Sequence, residues 1–389
     1  MSHVRPDYAG RSIANLMRTL AEACGARLPA QSPLAPDYGL AARELARVRN
    51  IVLLVVDGLG AAQLARYGRG ALQKHVAGQL TSVFPSTTAA AIPTFLTGLT
   101  PARHALTGWH MWLDEVQAVT AILPLKRRVG PPFETPPREL ARRLFDHAPI
   151  YQGMHRPAWV VSPQQIAFSP FNQFHTRGAD TLAYADLEGM LQTIAGLAQI
   201  PGRKFVYAYW PDLDSAAHAY GTDGRETRAT LDFFCDGFDR LIAALEGTDT
   251  CLLVTADHGF IDSPDERVIQ LDDHPELAAM LARPLCGEQR VAWCYVKPEA
   301  MAEFPSCVQS RLGERAELVP CRTLIEDGWF GPGDCHPKLA SRLGDYALLM
   351  RENWTIKDWL PGEARYGLLG VHGGTSAAEM QVPLVAVRC

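Results

Sequence analysis

Short apolar runs alternate with stretches of helical period along most of the chain. Ile51 to Val56 (IVLLVV), Lys204 to Trp210 (KFVYAYW) and Cys251 to Thr255 (CLLVT) are continuous β-branched, leucine and aromatic runs. That pattern predicts strands buried on both faces of a parallel sheet. Thr81 to Phe84, Ala118 to Leu123, Ala158 to Ser162 and Leu384 to Arg388 read as further β segments. Residues 11 to 24 place Ile13, Leu16, Met17, Leu20 and Ala21 on one helical face, and Thr222 to Leu245 does the same with Leu231, Phe234, Phe238, Leu241 and Leu245. Helices are also predicted over Pro137 to Phe145 and Asp180 to Ile200, and one beginning near Ala61. A proline-rich loop runs from Gly25 to about Tyr38. Strand, acid, glycine turn and helix recur in that order, which predicts α/β winding.

From Pro264 to Trp359 the pattern loosens into two helix candidates, His274 to Leu281 and Ala300 to Leu312, among short strands such as Ala292 to Val296. Residues 264–359 therefore read as a small inserted α+β subdomain, with 1–263 and 360–389 as the core. Arg365 to Val371 is expected to return to the sheet.

Composition narrows the function classes. A net charge of −5 over 389 residues offers neither a basic stripe for a nucleic-acid duplex nor an acidic tail. No apolar run approaches the roughly 20 residues that span a bilayer, and the first residues lack a secretory apolar core. The nine cysteines are scattered without a CxxC, so they read as reduced thiols. A cytoplasmic location is the expectation.

The candidate chemistry begins in Thr81 to Gly98, TSVFPSTTAAAIPTFLTG. Thr87 and Thr88 stand where a strand hands over to a helix N-terminus, where free N–H groups and the helix dipole favour anions. A threonine there is equally an ordinary N-cap. Elsewhere Asp57, Asp214 and the pair Asp257-His258 follow strong strands, and His372 follows another β segment. Ligands of open parallel sheets bind outside the carboxyl ends of the strands, so these residues are expected to converge. Asp214 and His218 lie one helical turn apart, as a metal pair or a solvated pair would. Asp257 and His258 can share a target only if their strand ends there, which Gly259 permits. Three carboxylates and three imidazoles suit two divalent ions, zinc first and manganese second. Their charges, −3 and +4, sum to +1, which favours an anionic substrate. Two such ions can activate a hydroxyl nucleophile and stabilise a leaving oxygen.

The segments VVDGLG (55–60), FPSTTAAAIPTFLTGLTPARH (84–104), DLDSAAHAYG (212–221), TADHGF (255–260) and VHGG (371–374) resemble the alkaline phosphatase superfamily. They look most like its type I phosphodiesterase/nucleotide pyrophosphatase branch. The resemblance implies a three-layer α/β sandwich around a mostly parallel sheet, two metal ions, and attack on phosphorus by a Thr or Ser. Carried onto this chain, it assigns Asp57, Thr88, Asp257 and His258 to one ion and Asp214, His218 and His372 to the other. The family's P-x-x-T pattern makes Thr88, not Thr87, the nucleophile. An Asn that holds the phosphoryl oxygen in nucleotide-cleaving members is replaced by Trp109, after Thr107-Gly108. Trp109 and Trp112, with Phe133, are candidates for stacking on the substrate, against a packing role. Lys126, Arg127 and Arg128 are candidates for a second phosphate, against a solvated run.

The expected activity is hydrolysis of a small phosphate ester, a diester or nucleotide pyrophosphate, because no arginine in the motifs is placed to hold a monoester's extra charge. A phosphonate or phosphomonoester hydrolase is the alternative within the same chemistry. A non-catalytic ligand-binding member of the fold is the alternative outside it.

Overall fold

The computed structural model describes residues 3–28 and 31–389, so Pro29 and Ala30 of the proline-rich loop lie outside the described residues. Seven strands form the main sheet in the order Val76–Thr81, Gln381–Arg388, Thr250–Thr255, Asn50–Val56, Lys204–Trp210, Ala158–Pro163, Asp180–Tyr184. The last five are mutually parallel, and Gln381–Arg388 runs antiparallel to both of its neighbours. Every residue of the three central strands is buried. Their unbroken apolar sequences follow from that position, since crossover helices leave neither face of a parallel sheet to water. Ile13–Ala23 packs on Thr88–Thr97, and Leu187–Gln199 packs on Arg225–Leu245. Leu231, Phe234, Phe238, Leu241 and Leu245 are all buried along the last of these helices, each contributing about 1.5–3 kcal/mol of transfer free energy.

Three local expectations are corrected. Residues 180 to 200 are not one helix: Asp180–Tyr184 is the edge strand of the sheet, and the helix is Leu187–Gln199. Thr181, Leu182 and Tyr184 suit an edge strand, and the Asp186 side chain accepts from Gly189 N at 2.8 Å to start the helix afterwards. The β run expected at Thr81 to Phe84 lies earlier, at Val76–Thr81, with irregular chain leading to Thr87. The helix expected over Thr222 to Leu245 is present as Arg225–Leu245, and Gly221, with φ 79°, separates it from Asp212–Tyr220. The segment before His372 does not rejoin the main sheet, because Gly370–Val371 pairs only with Ile261–Asp262.

A second sheet of seven strands takes Ala316–Pro320, Tyr346–Met350, Val291–Cys294 and Cys286–Gly287 from the late part of the chain. It continues with His110–Leu113, Ala118–Ala121 and Lys126–Arg127 from the early part. Its period of two fills a core on each face: Val291 and Trp293 join Phe84 and Phe330, while Ala292 and Cys294 join Phe304 and Leu348. Phe84 therefore ties the turn before Thr88 to this sheet, with ring centroids 4.9 Å from Trp329 and 5.3 Å from Phe330. The nine cysteines are free thiols. Among the described residues no helix is long and apolar enough to cross a membrane.

Candidate metal centre

Strand register brings the acids together. Val56 lies opposite Trp210 and Val55 opposite Thr255, so Asp57 and Asp257 leave adjacent strands at the same level. Asp214 enters from the first turn of the helix that follows Trp210. The third strand ends at Thr255, which frees Asp257 and His258 from alternation. Gly259 is required behind them, because a Cβ there would stand 2.1 Å from Ala378 O. Gly58, at φ 76°, is required for the same reason beside Phe260, 2.4 Å from a built Cβ.

Two groups of donors result. Asp57, Asp257 and His258 form one, and Asp214, His258 and His372 the other, with the donor atoms of each group all within 4.8 Å. His258 belongs to both. Its Nε2 is 3.4 Å from Asp57 Oδ1, 3.5 Å from Asp257 Oδ2 and 3.0 Å from Thr88 Oγ1. Its ring stacks on His372 at 3.7 Å. His218 Nε2 lies 3.4 Å from Asp214 Oδ1, and His372 Nε2 lies 3.9 Å from the same oxygen. His218 and His258 each donate Nδ1–H to a backbone carbonyl, of Gly370 at 2.8 Å and Gly259 at 3.1 Å. That fixes the tautomer and leaves both Nε2 lone pairs facing the acids.

Each acid presents one bare oxygen to this space. Tyr209 O–H donates to Asp57 Oδ2 and two backbone N–H groups donate to Asp257 Oδ1. Asp57 Oδ1, Asp214 Oδ1 and Asp257 Oδ2 are buried without partners, as is His372 Nδ1. Orphaned buried oxygens are costly unless something binds them, and oxygen and imidazole donors together suit a divalent ion. Burial, with the fields of Asp214 and Asp257, raises the Asp57 carboxyl well above the ordinary carboxylate range. Burial raises Asp214 likewise, helped by Asp257 and Glu288. Burial lowers the imidazoles, His218 to about 4 and His258 and His372 also below their usual value. Neutral imidazoles beside crowded carboxylates form a site that lacks positive charge, and cations would supply it.

Thr88 opens the ten-residue helix Thr88–Thr97, with Thr87 as its N-cap residue. The two hydroxyls diverge: Thr88 Oγ1 meets His258, whereas Thr87 Oγ1 donates to Glu288 Oε1 at 2.6 Å. Glu288 also accepts Trp109 N–H, at 2.7 Å, and burial pushes its carboxyl up to about 7. No motif points to Glu288, which stands 201 residues from Thr87 in a segment without recognisable pattern. A cavity of about 1080 Å³ opens over Asp57, Thr88, Asp214, His218 and His372, and Trp109 and Glu288 line it. Trp112 does not line it; its ring lies 4.0 Å from the Arg283 guanidinium, and its Nε1–H goes to Asp114. The basic triplet divides three ways. Lys126 lines the cavity, Arg127 stacks 4.7 Å from Phe133, and Arg128 is buried against Asp358 and Glu363, each at 2.8 Å.

The His372 loop is held by Glu379, fully buried, which accepts from Gly374 N at 2.8 Å and from Arg290 Nε at 3.0 Å. Glu379→Ala strands the buried Arg290 charge. We expect it to cost about 3–5 kcal/mol in denaturant unfolding; a loss below about 1 kcal/mol would contradict this role for the pair.

Sheet, strand-end acids and paired donor groups together define an α/β protein with a candidate two-metal centre at the carboxyl ends of its strands. The family model for type I phosphodiesterase/nucleotide pyrophosphatase matches residues 51–375, and the chain belongs to that family. It is thereby a hydrolase of phosphoesters with a two-metal site. No curated protein matches it in sequence. Among solved structures it is similar to murine ectonucleotide pyrophosphatase/phosphodiesterase 5, at 18% identity and TM-score 0.65, covering 86% of this chain and 87% of that one. The same murine protein, as an inactive threonine-to-alanine variant in complex with AMP, matches at 18% identity and TM-score 0.64 over the same shares. Phosphonoacetate hydrolase from Sinorhizobium meliloti, in complex with phosphonoformate, matches at 17% identity and TM-score 0.63, covering 88% and 90%.

Proposed function

We propose that the chain cleaves small phosphodiesters or nucleotide pyrophosphate bonds through a phospho-threonine on Thr88. The carrying observation is the Thr88 hydroxyl at a helix N-terminus, 3.0 Å from His258 Nε2 and beside both donor groups. Asp57, Thr88, Asp257 and His258 would hold one cation and Asp214, His218 and His372 the other, with zinc favoured by the donors and manganese second. Bound there, the ions supply Lewis acidity that acidifies a hydroxyl and offsets charge on the phosphoryl and leaving oxygens.

Thr88 Oγ gives up its proton and bonds to phosphorus in line as the ester P–O bond breaks, and the departing oxygen takes up a proton to leave as an alcohol. Water then opens the phospho-threonine and restores the hydroxyl. Two displacements predict net retention at phosphorus. The free N–H groups at the start of Thr88–Thr97 face the phosphoryl oxygens, and Trp109 offers its ring to the leaving group. Residues 264–359, with the strands between 110 and 127, roof the cavity and set the substrate. The nine free thiols support a reducing, cytoplasmic setting.

A diester is favoured over a monoester because Arg128, the arginine in the cavity wall, is already committed to Asp358 and Glu363. The test compares turnover of an aryl diester and an aryl monoester by metal-replete protein. The diester is expected to be faster, and a faster monoester would overturn the assignment.

A further inference from the structure

Glu288 is a carboxylate in the wall of an anion-binding cavity, and nothing in the mechanism above uses it. Its two oxygens differ. Oε1 accepts both Thr87 Oγ1–H at 2.6 Å and Trp109 N–H at 2.7 Å. Oε2 takes no hydrogen bond among the described residues and is not enclosed, so it faces the cavity that Glu288 lines with Thr88 and Asp214. Among the described residues no lysine or arginine forms an ion pair with it. The arginine two residues on, Arg290, is turned away to Glu379. The side chain is thus tied to the residue before Thr88 and shares a cavity wall with Thr88 and Asp214, with Oε2 left without a partner among the described residues.

Above about pH 7, to which burial pushes its acid, Glu288 is a full carboxylate, and its repulsion grows with the charge on the bound group. A diester phosphoryl carries one negative charge, whereas a monoester carries nearly two near neutral pH. We propose that Glu288 is a specificity-determining residue, whose cavity-facing oxygen disfavours dianionic phosphoryl groups and so selects monoanionic diesters. This rests on the phosphodiesterase reading and supplies the physical reason for it. At about 6 Å and an effective dielectric constant near 20, one added unit of charge is disfavoured by roughly a hundred-fold, and screening in an open cavity lowers this to about ten-fold or more.

The test is Glu288→Gln, which keeps an acceptor oxygen for Thr87 and Trp109 and removes only the charge. In metal-loaded protein, kcat/KM is measured for an aryl methyl phosphate diester and the matching aryl monoester. The variant is expected to shrink the diester preference by about ten- to a hundred-fold, chiefly through faster monoester cleavage, at unchanged metal content. Binding of inorganic phosphate, which needs no turnover, is expected to tighten by about ten-fold. Equal loss on both substrates, or an unchanged ratio with unchanged phosphate affinity, would show a purely structural tie and overturn the inference. A wild type that cleaves neither ester overturns the phosphodiesterase reading instead. In that case tighter phosphate binding in the variant still supports the carboxylate's role, and unaltered binding overturns it as well.

Discussion

Thr88→Ala is expected to reduce phosphoester hydrolysis by about 10⁴-fold or more, to the level of the uncatalysed background reaction, with metal content nearly intact. The hydroxyl's side-chain partner among the described residues is His258 Nε2, at 3.0 Å, and in metal-loaded protein a cation would hold that nitrogen after the hydroxyl is gone. Alanine is a good residue for the first helical position, and the melting temperature is expected to move little. Thr87→Ala is the control. Its hydroxyl turns to Glu288 at 2.6 Å, away from the donor groups, and its loss is expected to cost about ten-fold or less. Steady-state rates of the two variants on one aryl diester decide the matter. Comparable losses in both, or measurable turnover surviving in Thr88→Ala, would remove Thr88 as nucleophile.

Asp57→Asn is expected to act in opposite directions with and without metal. Asp57 is 2% exposed, its Oδ1 is orphaned, and burial with two neighbouring carboxylates holds its acid well above the ordinary range. A folded-state value above the unfolded one means that the ionised form costs stability, increasingly as pH rises above the carboxylate range. Removing that charge is expected to make the metal-free protein more stable at pH 7 by about 1–3 kcal/mol. The same change deletes an anionic ligand, so the stabilisation gained on adding metal shrinks and turnover falls by about 10³-fold. Thermal unfolding with and without metal, at pH 7, reads both effects. A variant destabilised in the metal-free state would mean that Asp57 is a structural acid.

The strand-end acids were legible because a parallel sheet announces itself twice. Its central strands are apolar on both faces, as in Asn50–Val56, and its ligands gather at one end. Asp57, Asp214, Asp257 and His258 could be read from strand, acid and turn alone, since each follows its strand within a few residues. His372 was harder. It follows only the two-residue strand Gly370–Val371, and what positions it is the Glu379–Arg290 pair, whose members lie 89 residues apart. The edge strand Asp180–Tyr184 escapes a sequence reading because it is five residues long, paired on one side only and mostly exposed, Leu182 and Ala183 included, so it shows no buried apolar run and blends into the helix that follows. Glu288 and the make-up of the second sheet were not readable. Both depend on residues 110–127 meeting residues 286–350, a pairing that local periodicity does not encode. Trp112 illustrates the same limit, because an aromatic near a motif packs where the long-range sheet sends it, here beneath Arg283.

Everything proposed depends on two cations lodged between these acids and imidazoles. Anomalous difference maps from crystals loaded with zinc or manganese test that directly. The expected result is two peaks per chain, one among Asp57, Thr88, Asp257 and His258 and one among Asp214, His218 and His372. A single peak, or a pair bound away from these side chains, would contradict the two-metal site and the chemistry built on it.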